Sequence, residues 1–361
     1  MTETNAPGLG HRLFFWFLLA TLSMALPEVL GTLNDPIPWA HRNGWILGYP
    51  VYGLHVLFLA GLMYRFPIAG LTTLLAYGGL FGLYEGYLIK QLWNPNWGET
   101  ATLSIGGVRV LHTLLLVFWT HPLMAFILPL VLCELLAVAP GRLSARLPFI
   151  TRTRRRRLVF LLLVALYFGI TTGKGLEGRG AIGIPIISLV IFAALGLAWR
   201  LGFRGQRWRL EDLLPRRTGL VVLAVLLAVE YGVYGSQLRA EAFPGAWLPH
   251  VLVWGIYAFL VAVIVRVTRR TAEAPVEDRR APSNTEAFAL SAAWGAVVLF
   301  IAWWHAPYRL PGEPLAVITF LGGSVAVLAW LAWSLIAPGR PRSAERQGTP
   351  QRSASSASQR A

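Results

Sequence analysis

The sequence predicts an all-α polytopic membrane protein, a bundle of about ten transmembrane helices with both termini in the cytoplasm. Hydrophobic residues make up 55% of its 361 positions and charged residues only 14%, and its mean hydropathy is +0.56. A soluble domain normally carries about a quarter charged residues. Lipid, rather than water, is therefore expected around most of these side chains.

Ten apolar segments each approach the roughly 20 residues that a helix needs to cross a bilayer. The second and third are separated only by Arg65-Phe66-Pro67, which predicts a tight hairpin. Pro122 and Pro129 predict a kink in the long fourth segment, and a glycine-rich break at 173–183 divides the fifth from the sixth. The predicted segments are 12–33, 46–65, 67–92, 111–138, 158–175, 182–200, 218–237, 247–267, 287–305 and 314–337.

The basic residues predict the orientation, because the cytoplasmic loops of membrane proteins are enriched in Lys and Arg. Of the 32 basic residues, 25 lie in one set of alternate loops and seven in the other. This uneven split places both termini inside. Tryptophans are expected to form an aromatic belt at the outer boundary: Trp39, Trp45, Trp93, Trp97, Trp247, Trp303 and Trp304.

Residues 1–337 are predicted to form one transmembrane domain, and 338–361, rich in Ser, Ala, Arg and Pro, a disordered basic cytoplasmic tail. The basic residues behind the net charge of +15 lie in short runs between the apolar stretches. This arrangement favours a role in setting membrane topology and in attracting anionic lipid headgroups over a role in nucleic-acid binding. We therefore expect a multi-pass protein of the cytoplasmic membrane of a prokaryote. Its expected partners are the lipid bilayer and a lipid or small-molecule substrate, with no nucleic acid and with the oligomeric state open.

Three glutamates lie inside the predicted crossings, where ionisable groups are costly and mark functional sites by default. A rise of 1.5 Å per residue places them roughly 20 to 30 Å from the basic boundary, in the outer half of the membrane or near its outer interface. With one histidine of the fourth segment they form the predicted catalytic set: Glu85, Glu28, Glu230 and His121.

The third segment carries the sharpest local pattern, since every fourth residue from Gly78 to Gly86 is glycine. Small residues at this spacing let a neighbouring helix backbone approach closely. Glu85 borders this seam, and Lys90 is expected to reach back to it or to extend to the membrane surface. A Glu–Lys pair that merely locks two helices together is the alternative interpretation.

Polar stripes at helical spacing mark two other segments. Glu28 shares a stripe with Asp35 in the first segment, and Glu230 shares one with Tyr234 and Gln237 in the seventh. Such stripes face a neighbouring helix or a water-filled cavity. The predicted substrate-binding residues are Lys90, Tyr84, Tyr234 and Gln237.

His121 precedes a proline that leaves a backbone carbonyl one turn earlier without its usual N–H partner. One interpretation is that His121 or a neighbour satisfies this carbonyl, and the other is that His121 carries protons beside Glu28 or Glu85. His55, in the middle of the second segment, is a weaker companion. Glu134 is expected to reach the cytoplasmic interface or to pair with an arginine after 142.

The sequence contains no H-E-x-x-H pair, G-x-S-x-G elbow or P-loop. No metal is predicted, and the cofactor is left open. The outward position of the polar residues favours a membrane-embedded enzyme acting on a lipid or lipid-linked substrate. A proton- or cation-coupled transporter is the main alternative, and a scaffold whose glutamates pair with partner helices is the third.

Overall fold

The computed structural model describes residues 6–31, 35, 37–68, 70–94, 103–202, 206–271, 283–307 and 312–337, the side chains of 312–319 excepted. Helices occupy all ten predicted segments. They are α1 Leu9–Gly31, α2 Gly44–Met63, α3 Leu71–Gly82 continued by Tyr84–Tyr87, α4 Val110–Ala137, α5 Arg154–Gly175, α6 Gly183–Gly202, α7 Arg217–Gln237, α8 Trp247–Arg270, α9 Asn284–His305 and α10 Gly312–Ile336. The predicted tail lies outside the described residues.

Short elements join the long helices. On the basic side these are the helices Arg142–Arg146, Pro148–Thr151 and Leu210–Leu213, and elsewhere the single turns Pro38–Ala40, Arg179–Ile182 and Ala240–Ala242. Strand β1 Ser104–Ile105 pairs antiparallel with β2 Val108–Arg109. Gly106 and Gly107, at φ +56° and +83°, make the turn between them, a conformation that glycine adopts without steric cost.

Eight of the described helices are long and apolar enough to cross a membrane, which confirms a polytopic helical bundle. The other two are α3, which is interrupted at Leu83, and α10. The break predicted at 173–183 is shorter than expected, because α5 continues to Gly175 and a helical turn resumes at Arg179.

The core lies among the first four helices. The most apolar stretches of α1, α2 and α4 are 67%, 61% and 61% buried, against 11% for α7. α3 packs along α4 and α1 along α2, while α5 and α9 pack together on one side and α7 and α8 cover α2 and α3 on the other. The peripheral helices expose most of their apolar side chains, as lipid-facing helices do.

The glycine seam explains the tight pairing of α3 with α4. A Cβ at Gly82 would lie 2.6 Å from the carbonyl oxygen of Leu116, and one at Gly78 would lie 2.6 Å from Cα of Pro122. The predicted close backbone approach is confirmed at both positions. Gly86 instead faces a side chain of α8, with its Cβ position 3.4 Å from Val253.

Glu134 does not extend to the interface as predicted. It is 2% exposed, and its Oε1 accepts hydrogen bonds from the backbone N–H groups of Gly141 and Ser144, at 2.6 and 2.7 Å. Arg142 donates instead to the carbonyl oxygens of Tyr64 and Phe66, both at 2.8 Å. Glu134 thus satisfies N–H groups at the start of a short helix that no intrahelical carbonyl can reach.

The tryptophan belt is only partly as expected. Trp45, Trp247, Trp303 and Trp304 are between 39% and 72% exposed, whereas Trp93 is 5% exposed. Trp93 packs edge-on against Tyr87, with ring centroids 4.8 Å apart. Trp97 lies outside the described residues.

Candidate functional site

Three helices lose regular α-helical geometry where they carry predicted site residues. α1 ends in a π-helical turn, Leu26–Gly31, that contains Glu28. α3 is interrupted at Leu83, immediately before Tyr84 and Glu85. α4 is π-helical over Thr113–Ile127, the stretch that contains His121. Such departures are frequent at functional sites, where they redirect side chains and free backbone groups.

His121 and Glu85 meet between α3 and α4. Nε2 of His121 lies 3.4 Å from Oε1 of Glu85 and 2.9 Å from the hydroxyl of Tyr84. The residues are 3%, 6% and 2% exposed, respectively. The structure therefore places His121 beside one of the two glutamates that the sequence analysis paired it with.

The tautomer of His121 follows from its other nitrogen. Nδ1 lies 3.1 Å from the carbonyl oxygen of Leu116, which can only accept, so Nδ1 carries the proton. The Nε2 of a neutral ring can then accept a hydrogen bond from Tyr84. Glu85 contacts the same nitrogen at 3.4 Å. Because Nε2 of a neutral ring has one lone pair, either Tyr84 or a protonated Glu85 donates to it, whereas an imidazolium would donate to the Glu85 carboxylate.

Glu28 joins this group through a tyrosine of α2. The hydroxyl of Tyr52 donates a hydrogen bond to Oε1 of Glu28. The Tyr52 ring lies 6.0 Å from that of Tyr84 and 6.2 Å from that of His121, between centroids. We call Glu28, Tyr52, Tyr84, Glu85 and His121 the acidic cluster.

A second tyrosine–histidine pair lies beside the acidic cluster. Nδ1 of His55 lies 2.6 Å from the carbonyl oxygen of Val51, and its Nε2 lies 3.1 Å from the hydroxyl of Tyr231. The same reasoning makes His55 Nε2 an acceptor. The His55 ring lies 5.4 Å from the ring of Tyr84, so this tyrosine separates the two histidines.

An aromatic cavity of about 400 Å³ reaches Tyr231 from the periphery, between α3, α7 and α8. Tyr257 in its wall also donates a hydrogen bond, at 3.4 Å, to the carbonyl oxygen of Leu83, where α3 is interrupted. The cavity thus adjoins both the His55–Tyr231 pair and the broken helix. It is lined by Tyr87, Tyr231, Gly232, Gly235, Phe243, Trp254 and Tyr257.

Glu230 lies on the buried face of α7, together with Leu223 and Leu227, and its side chain is 4% exposed. Neither of its carboxylate oxygens has a hydrogen-bond partner among the described residues. Its neighbour Tyr231, rather than Glu230 itself, contacts His55. The structure therefore brings Glu28 and Glu85 together and leaves Glu230 outside the acidic cluster.

The predicted substrate-binding residues are dispersed. Lys90 does not reach back to Glu85, because its Nζ donates to the carbonyl oxygens of Gly235, at 2.8 Å, and of Leu238. A cation there complements the negative end of the α7 dipole. The Tyr234 hydroxyl donates to the carbonyl oxygen of Ile46, at 2.9 Å, and Gln237 is exposed. Of the four, Tyr84 alone lies in the acidic cluster.

The sequence analysis missed Tyr52 and Tyr231. Both tyrosines lie in apolar segments, and nothing in the composition of those segments distinguishes them. Tyr52, however, precedes His55 by three residues and so lies on the same helix face. Tyr231 offered no comparable signal, because its role depends on the packing of α7 against α2. In the described part of the chain, no three His, Cys, Asp or Glu side chains are arranged to hold a metal ion.

Comparison with known proteins gives two findings. A model of the family described as "Uncharacterized membrane protein family" matches residues 17–346. A protein of Archaeoglobus fulgidus, described as "Uncharacterized protein", is 27% identical over 274 residues, which cover 74% of this chain and 82% of that protein. No solved structure matches the chain.

Proposed function

The chain belongs to this membrane protein family, and from that premise we propose that it is a membrane-embedded enzyme acting on a lipid or lipid-linked substrate. The observation that carries the proposal is the contact of His121 with both Glu85 and Tyr84, beside a second histidine whose tyrosine partner lines a cavity. Histidine, carboxylate and tyrosine in mutual hydrogen-bond range are the groups of general acid–base catalysis.

The aromatic cavity supplies the substrate site of this proposal. Its walls combine apolar area with phenol groups, which suits a ligand with an apolar part and a polar reacting group. A substrate hydroxyl in the cavity would give its proton to the Tyr231 oxygen while Tyr231 passes its own proton to Nε2 of His55. Glu85 lies close enough to Tyr231 to interact with it electrostatically, so a carboxylate at this position would favour the imidazolium that forms, since opposite charges attract strongly at low dielectric.

Apart from Glu134 and Thr73, the buried polar side chains of the described α1–α4 core lie away from the basic end, which supports an enzyme over a transporter. Towards the basic end, α2, α3 and α4 pack through apolar side chains such as Met63, Leu74 and Leu130, all 0% exposed. A transporter needs a polar path through both halves of the membrane, whereas a catalyst needs one accessible face.

Lipid analysis tests the proposal. In cells that lack the protein, we expect one lipid class to accumulate and to return to its normal level when the wild-type chain is restored. Tyr231→Phe should not restore it, because this change removes only the hydroxyl that contacts His55. Tyr77→Phe is the matched control, since Tyr77 is buried, at 2% exposure, and no hydrogen bond of its hydroxyl is described. An unchanged lipid composition would count decisively against an enzyme.

A proton-coupled transporter is the second candidate, favoured by the interrupted helix and the π-helical turns at the carboxylates. Transporters place binding sites at discontinuous helices whose free backbone groups face the ligand. Solute uptake into proteoliposomes, driven by a pH gradient and abolished by Glu28→Gln, would establish this function in place of the enzyme.

We further propose that the protein resides in the cytoplasmic membrane of a prokaryote, with the bilayer as its partner and no nucleic-acid ligand. The loop distribution of arginine and the archaeal relative support this location. Reporter domains fused after Arg157 and after Arg217 should be active in the cytoplasm. Activity outside it would reverse the orientation and place the acidic cluster in the inner half of the membrane.

A further inference from the structure

A second cavity lies at the basic end of the bundle, between the end of α2 and the start of α7. Its volume is about 410 Å³, and three of its nine lining residues are arginines. It lies away from the acidic cluster and takes no part in the proposed reaction. Its polar lining residues are Tyr64, Arg65, Glu211, Arg216, Arg217 and Thr218.

The backbone around this cavity is held firmly. Leu213 and Leu214, beneath the cavity, are 0% and 2% exposed. Trp16 donates to the carbonyl oxygen of Leu213 at 2.7 Å, and Arg12 donates to that of Leu214 at 2.6 Å. Gly61 allows α7 to approach, because a Cβ there would lie 2.9 Å from Leu220. The arginines therefore project from a fixed frame rather than from a loose loop.

The charges around the cavity are unbalanced. Arg65, Arg216 and Arg217 are exposed, and no hydrogen bond or ion pair of their guanidinium groups is described. Arg12 lies close enough to repel Arg216 electrostatically. Like charges held together without a counter-ion attract an anion.

Glu211 is the single acid in the cavity lining. Burial raises the pKa of this carboxyl group, opposed by Arg209 and Arg142. Its Oε2 is buried, and no described residue hydrogen-bonds to it. One acid faces three arginines, so the cavity lining stays net positive whether or not Glu211 is ionised.

The apolar surface beyond the arginines indicates which anion binds. Val221, Val222 and Val225, one to two turns along α7, are between 53% and 64% exposed. A ligand with its phosphate in the cavity would lay a hydrocarbon chain along this face. Free phosphate has no hydrocarbon part that could cover this surface, whereas the acyl chains of a membrane lipid would cover it.

We propose that this cavity binds the phosphate headgroup of an anionic phospholipid, with its acyl chains along α7. Guanidinium groups hold phosphate oxygens through paired, charge-assisted hydrogen bonds. Basic pockets between transmembrane helices on the cytoplasmic side are suited to such headgroups.

Native mass spectrometry of the full chain released from nanodiscs of phosphatidylglycerol and phosphatidylcholine tests the proposal. The wild-type chain should retain one phosphatidylglycerol molecule in preference to phosphatidylcholine. The triple variant Arg65→Gln, Arg216→Gln, Arg217→Gln should bind it at least about tenfold more weakly, since three charge-assisted contacts are lost.

The matched control is Arg152→Gln, Arg154→Gln, Arg155→Gln, which removes the same charge from exposed arginines of the same predicted membrane face. It should retain the lipid, and a loss equal to that of the cavity variant would reveal unspecific surface attraction and overturn the site. Displacement of the lipid by millimolar inorganic phosphate would also overturn it, because the cavity would then bind a free anion. This measurement records lipid binding and not catalytic turnover. The lipid-site proposal can therefore fail while the proposed enzyme function stands, and the reverse.

Discussion

Replacing Gly82 with alanine is expected to destabilise the bundle by about 1–3 kcal/mol, the usual cost of overpacking a close contact. The new Cβ would lie 2.6 Å from the Leu116 carbonyl oxygen and 2.9 Å from Cα of Val117. Both are backbone atoms of α4, so no side-chain rotation relieves the overlap. The gain in helix propensity from glycine to alanine, roughly 0.5–1 kcal/mol, is too small to compensate.

The measurement is thermal unfolding of purified protein in one detergent. Gly255→Ala in α8 is the control, since a Cβ there meets nothing within 4 Å, and it should leave the unfolding temperature unchanged or raise it slightly. A Gly82→Ala protein as stable as the wild type would mean that α3 and α4 do not pack through this seam. Gly82→Val, which adds two further methyl groups, should prevent accumulation of folded protein.

The second large effect is expected at the acidic cluster. Glu85→Gln and His121→Gln should each lower turnover of the accumulating lipid by about 100-fold or more, the usual contribution of a general acid or base. Glutamine at 85 retains the size and hydrogen-bonding capacity of the side chain but cannot exchange a proton. Structural damage is therefore a weak explanation for such a loss.

A double-mutant cycle separates a shared proton from two independent roles. If Glu85 and His121 hold one proton between them, turnover by the double variant should be no slower than turnover by the slower single variant. Either single change already abolishes the joint function, so the second change has nothing further to remove. Glu177→Gln, at an exposed position, is the control for glutamate loss in general. Losses that multiply would show that the two residues act separately, despite the 3.4 Å contact.

Two parts of α2 serve the two proposed sites. Tyr52 belongs to the acidic cluster and His55 to the tyrosine–histidine pair beside it, whereas Tyr64 and Arg65, just past the end of the helix, line the cavity at the basic end. α7 contributes to both regions, through Tyr231 and Arg217. Positioning α7 against α2 is therefore a structural requirement common to both proposals.

Local patterns in the sequence were enough to predict helices in all ten apolar segments, the glycine seam and the concentration of carboxylates in a few helices. Each of these is a local property: hydropathy over about 20 residues sets a crossing, and a repeat of four places glycines on one helix face. Such patterns need no knowledge of neighbours. For that reason the observed helices overlap every predicted segment, and Gly78 and Gly82 meet α4 as expected.

Which polar groups meet depends instead on how the helices pack. Helical periodicity gives the height of Glu28, Glu85 and Glu230 in the membrane, but it does not indicate which helices are adjacent. Packing placed Glu28 and Glu85 around shared tyrosines and left Glu230 apart, and it directed Lys90 to the end of α7 rather than to Glu85. Contacts between residues far apart in sequence depend on how ten helices pack together, and no single segment encodes that arrangement.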